Sequence, residues 1–157
     1  MKNYNDLKTK VENIFNDLHI TYEILDFQDD DLNYDIQIST AGKLKLLKQI
    51  NCILYFSSKD YSMNIIVGNI YRIKKDENLL SIYELLNEVN QMQTAGNFTI
   101  YNATNDKQIF YRSSIPCGED FSKLNKSLIH FHLRNFTSSL GILLEYLKRR
   151  ENQINEN

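Results

Sequence analysis

Cys117 follows the only proline of the chain, Pro116, and a thiol in such a loop is the one side chain in the sequence placed like a nucleophile. Thiol catalysis also needs a base and an orienting group within hydrogen-bond reach, and no spacing around Cys117 supplies either. His130 and His132 stand at i and i+2, which points them about 200° apart on a helix, whereas zinc-binding pairs on a helix use i and i+4. Asp31-x-Asn33-x-Asp35 starts like a calcium loop, in which alternating carboxylates and amides converge on one cation. Ile36 then stands where the loop needs glycine, and Gly42 where it needs a bidentate glutamate, so a polar strand face is the better account. His19 closes the first helix, where an imidazole can meet free carbonyls. No G-x-S-x-G, P-loop or dinucleotide fingerprint occurs, with five glycines in all. These residues predict no catalytic, cofactor or metal site.

Lys43, Lys45 and Lys48, and separately Lys148, Arg149 and Arg150, form two small basic clusters, the second suited to a helix C-terminus. Phe110, Tyr111 and Arg112 interleave aromatic rings with charge and could stack on unpaired bases, although core packing with an outward Arg112 accounts for them as well. A net charge of -2 gives no global excess of cations for phosphates. At 157 residues the chain fits one domain able to bury a core without staples, and its 42% hydrophobic and 24% charged content is that of a soluble globular protein. Cys52 and Cys117 are expected to be two reduced thiols. The first fifteen residues have neither a signal-peptide h-region nor a membrane span, which makes a cytoplasmic protein with no membrane partner the expectation.

The elements that would position these residues follow from periodicity. Tyr4, Leu7, Val11, Ile14, Phe15 and Leu18 fall within about 100° of a helical wheel and predict a first helix covering a core on one side. Residues 20–27 read as a strand, QDDD as a turn, and Leu32, Tyr34, Ile36 and Ile38 alternate with polar residues as in a half-buried antiparallel strand. Residues 43–49 fit strand or helical turn equally. Residues 50–57 and 63–68 predict a hairpin whose second arm continues through 70–73 past a bulge at Gly68. A helix over 79–91, stopped by Gly96, precedes a second hairpin in NFTIY and KQIFYRSS. A long last helix starts near Asp120 or Ser122, with one stripe of Phe121, Leu124, Leu128, Phe131 and His132 and another of Phe136, Leu140, Leu143 and Leu147, which implies a kink or change of packing near Asn135. Residues 1–150 form one domain and 151–157 a frayed tail. Runs of strands rather than strand-helix alternation give an α+β fold in the order α-β-β-β-(β)-α-β-β-α, with a twisted antiparallel sheet packed with helices.

The helix LLSIYELLNEVNQ carries more apolar surface than one sheet requires. Leu79, Ile82, Tyr83, Leu86 and Val89 form a stripe, Leu85 and Met92 flank it on one side and Leu80 on the other, together spanning roughly 240°. Either the last helix covers the excess, or another molecule does, as a dimer interface or a partner groove. Asn87 and Asn90, near its end, suit a cap or a link to the next strand better than a ligand contact.

From this helix onward, the run of a leucine-rich helix closing on L-N-E-x-N (Leu86, Asn87, Glu88, Asn90), a short hairpin, and a helix rich in leucine and aromatic residues resembles the YbjN-type family. These are bacterial sensory-transduction regulators sharing the fold of type III secretion chaperones, and the match covers about a third of the chain. The resemblance implies homodimerisation through the middle helix and binding of a protein segment rather than catalysis. Secretion chaperones are more acidic than this chain, which weighs against a secretion role more than against the fold.

The sequence therefore predicts a cytoplasmic, non-enzymatic homodimer that captures a segment of an unidentified protein, with Leu80, Tyr83, Leu85, Leu86 and Val89 as the dimer or partner contact. A small single-stranded nucleic-acid-binding protein and a small enzyme around Cys117 or His132 are the alternatives.

Overall fold

A computed structural model describes residues 4–25, 31–38, 50–103 and 106–155. The chain runs α1 (Tyr4–Asp17), β1 (Tyr22–Leu25), β2 (Leu32–Ile38), β3 (Ile50–Ser57), β4 (Ser62–Ile73), α2 (Leu79–Gln91), β5 (Asn97–Ala103), β6 (Asp106–Pro116), a 3-10 turn (Glu119–Phe121) and α3 (Lys126–Asn155). The predicted α+β class and element order hold. Residues 43–49, including Lys43, Lys45 and Lys48, and most of the QDDD turn lie outside the described residues.

The strands form one six-stranded antiparallel sheet in the order β1-β2-β3-β4-β6-β5. Period-2 alternation divides it into two unlike faces. One cross-strand row reads Tyr22, Ile36, Cys52, Val67, Tyr111 and Phe98, and it faces the core. The adjacent row, Glu23, Asp35, Ile53, Ile66, Arg112 and Asn97, lies on the opposite face. A one-residue slip in register would exchange these rows, so the apolar pattern itself pins the pairing. The arm of β4 continues past an irregularity between Val67 and Tyr71 as predicted, but the left-handed residue there is Asn69 (φ 54°), not Gly68.

All three helices contribute to the single core. Phe15 of α1 packs on Tyr22 and Tyr34 at ring-centroid distances of 5.2 and 5.0 Å, and Phe136 of α3 on Tyr111 at 4.7 Å. Phe121 contacts Phe56 and Tyr61. α2 lies against β5 and α3.

The predicted span of α2 holds, while the role of Gly96 and the bounds of α3 correct the sequence reading. α2 ends at Gln91, with Met92 as its C-cap, so Gly96 does not stop the helix. Gly96 is needed because a Cβ there would strike the Tyr111 ring and lie 2.8 Å from the Arg112 carbonyl oxygen, at a φ of +75°. α3 begins at Lys126: Phe121 and Leu124 are buried, but in a turn where Asp120 and Phe121 have left-handed φ. The Asn125 carboxamide caps the helix, its Oδ1 accepting the Leu128 N–H at 2.9 Å. With those two residues outside the helix, Ile129, Phe136, Leu140, Leu143 and Leu147 make one buried stripe, and the second apolar sector disappears because Phe131 is exposed. α3 also continues to Asn155, beyond the expected fraying point at Arg150. No helix among the described residues is long and apolar enough to cross a membrane.

Candidate functional site

α2 is built to be a firm platform. Asn78 caps its N-terminus, with Oδ1 accepting the Leu80 N–H at 3.0 Å. Glu77 ties the entry to β4, accepting from the Tyr71 hydroxyl at 2.7 Å and from the Lys74 N–H at 2.6 Å. At the far end Asn90 acts as a strand mimic: its Oδ1 accepts the Phe98 N–H and its Nδ2 donates to the Phe98 carbonyl, both at 2.8 Å. The side-chain amide thus satisfies one residue's worth of the outer edge of β5, which confirms the structural reading of Asn90.

The five predicted contact residues divide. Leu85, Leu86 and Val89 are buried together with Ile82 in the core, so they are not available to a partner. The reason is α3, which packs beside α2 and absorbs that half of the wide apolar arc. Leu80 and Tyr83 are on the outside, 65% and 55% exposed.

Tyr83 precedes Asn90 by seven residues, which places the two within about 20° on the helix and about 10 Å apart along its axis. α2 and β5 are joined by residues 92–96 and meet at Asn90 and Phe98. Tyr101 is 57% exposed, and its ring packs edge-on against Phe110 at 5.7 Å. Leu80 and Tyr83 on α2 and Tyr101 on β5 are thus exposed apolar side chains, and the outer edge of β5 beyond Phe98 meets no other strand among the described residues. Tyr101 was not among the residues singled out from sequence; the signal available was only an aromatic side chain on the polar phase of an edge strand.

The other candidates are placed as follows. Cys117 is fully buried, its Sγ donates to the Ile115 carbonyl at 3.4 Å, and burial pushes the thiol up from its ordinary value, the opposite of an activated nucleophile. Cys52 is buried and free, with its thiol pushed up as well. Asp31 accepts from the Ser58 N–H at 2.9 Å, and Asn33 donates to the Asp31 carbonyl, so this motif fastens β2 to the β3–β4 turn. No group of three or more metal-ligating side chains occurs among the described residues. His130 is exposed, while His132 turns away from it and is half buried; burial pulls its imidazole below the ordinary value, and its Nδ1 has no hydrogen-bond partner among the described residues. Tyr111 is buried and its hydroxyl donates to the Ala95 carbonyl at 2.8 Å, which removes it as a base-stacking platform; Arg112 points outward. Arg149 pairs with Glu145 at 2.6 Å on the same helix.

No family model, curated protein or solved structure matches the chain.

Proposed function

We propose that this chain is a non-enzymatic protein-binding module that acts as a homodimer and captures a segment of a partner protein. The observation that supports the reading is the exposure of Leu80 and Tyr83 on α2 and of Tyr101 on β5, the strand at the end of the sheet. Such an edge offers main-chain donors and acceptors to an incoming strand, and flanking aromatic and aliphatic groups supply the apolar area that a polypeptide needs to stay. The likeness of the α2–β5–β6–α3 run to YbjN-type regulators and secretion chaperones supports the same reading, with the contact moved from the inner to the outer side of α2.

Native mass spectrometry and sedimentation over a range of concentrations test it. The expected mass is about 37 kDa, twice the 18.5 kDa of the chain, and the double variant Leu80→Glu/Tyr83→Glu should sediment as a monomer with its thermal midpoint intact. A wild-type protein that stays monomeric throughout, or a double variant that dimerises with native affinity, overturns the assignment of this surface.

A further inference from the structure

We infer that a second site, independent of the protein-contact reading, lies in the cleft between the end of α1, the β1–β2 pair and α3, and that it binds a small organic carboxylate with an apolar body. The cleft encloses about 480 Å³, within the range of pockets that hold small molecules. Leu18 and Ile20 wall it from the α1–β1 connection, Ile36 from β2, and Leu133 from α3. These four give it an apolar lining.

The polar side chains on that lining are His19, Gln37, His130, Arg134 and Thr137, none of them acidic. His130, Arg134 and Thr137 lie at i, i+4 and i+7 on α3, so they project along one face into the cleft, and His19 faces it from the opposite wall. Two imidazoles and a guanidinium can donate hydrogen bonds to an anion, and no carboxylate among the described residues lines the cleft or pairs with Arg134. Of the acids adjacent in sequence to the lining, Asp35 lies in the sheet row opposite that of Ile36, and Asp17 is engaged by Lys126, whose Nζ lies 3.8 Å from its carboxylate and donates to its carbonyl at 3.1 Å. A guanidinium fork beside apolar walls suits a planar carboxylate on an aliphatic or aromatic body.

His19 adds a second observation. It occupies the left-handed position of a Schellman turn: its φ is 56°, its N–H donates to the Asn16 carbonyl at 3.1 Å, and the Ile20 N–H donates to the Phe15 carbonyl at 2.9 Å. Glycine takes this position without strain, whereas a histidine carries a steric penalty there. The fold itself would be served by glycine, and what histidine adds is an imidazole on the wall of the cleft. Strained residues of this kind gather at binding sites.

The test is a titration of the full chain with sodium hexanoate, followed by amide chemical shifts. Hexan-1-ol serves as the neutral control and inorganic phosphate as the anion without an apolar body. Hexanoate should bind in the millimolar range, with shifts centred on His19, Ile20, Gln37, His130 and Thr137. Hexan-1-ol should bind at least about tenfold more weakly, the loss expected when a charge-assisted hydrogen bond is removed, and phosphate at least about tenfold more weakly because it buries no apolar surface on the cleft walls. Arg134→Gln should weaken hexanoate by a similar factor. His19→Gly should weaken it too while leaving the thermal midpoint unchanged or raised, which separates loss of a ligand contact from loss of the fold. The site is overturned if hexanoate gives no shifts or shifts them elsewhere, if either control binds as well as hexanoate, or if Arg134→Gln binds like wild type.

Discussion

Tyr34 stands at the centre of the aromatic cluster, against Phe15, Tyr22 and Phe56, and its hydroxyl is buried without a hydrogen-bond partner among the described residues. A buried donor without a partner forfeits its hydration for nothing, and an apolar isostere avoids that loss. Tyr34→Phe should therefore leave stability unchanged or raise it by up to about 1 kcal/mol, read as the urea midpoint at constant m; a clear loss would mean that the hydroxyl is satisfied in solution. Gly96 has the opposite character. An alanine there must hold a left-handed φ and meet both the Tyr111 ring and the Arg112 carbonyl, so Gly96→Ala should cost at least about 1–3 kcal/mol and should broaden the Tyr111 ring signals. The burial of Tyr34 was legible from its place in the alternating phase of β2. Its orphaned hydroxyl was not, because hydrogen-bond satisfaction depends on what α1 brings over the ring. Gly96 was noticed as a helix terminator, and its role as clearance for Tyr111 arises only when β6 is laid against the 92–96 connection.

Among the elements, α2 was read from sequence to the residue because a sustained apolar period runs through it with no competing breaker, and the Asn78 cap that the structure shows agrees with that start. α3 was read less well, since buried Phe121 and Leu124 mimic a helical stripe while sitting in a left-handed turn. The sign that was passed over is Asn125, whose side chain caps the helix that starts after it. The contact residues suffered from the same limit. Periodicity showed that α2 was apolar on too many sides, but which side α3 would cover depends on packing, and so Leu85, Leu86 and Val89 turned inward while Leu80 and Tyr83 did not. Asn90 allows a test of how α2 holds β5. Asn90→Leu removes both hydrogen bonds to Phe98 and should cost about 1–3 kcal/mol. Asn90→Asp keeps the acceptor for the Phe98 N–H but sets a carboxylate against the Phe98 carbonyl, and it should lose stability as well. Faster amide exchange confined to Phe98 and its neighbours is the expected signature; unchanged exchange in both variants would remove Asn90 from the account of the edge.

At the scale of the whole molecule, two groups on different layers set opposing dependences on pH. Asp35 lies beside Glu23 in the sheet row opposite the core-facing one, its Oδ1 is buried without a hydrogen-bond partner among the described residues, and burial, then the Glu23 charge, raises its carboxyl above the usual value of 3.8. A raised carboxyl binds its proton more tightly in the folded chain than in the unfolded one, so it subtracts stability as pH climbs through the carboxylate range and beyond. Asp35→Asn should thus raise the thermal midpoint at pH 7, with the gain shrinking toward pH 3. His132 works in the other direction. Burial lowers its imidazole below 6.5, so the unfolded chain takes up the proton first and stability falls as the solution is acidified below that value. His132→Gln should flatten this acid limb relative to wild type while leaving the fold near pH 8 little changed. Thermal melts of the two single variants and the double variant between pH 3 and 8 separate the contributions. With Asp35 in the sheet row opposite the core-facing one and His132 on α3, the two effects should add; curves for the double variant that depart from the sum would mean that the two positions are coupled through the sheet.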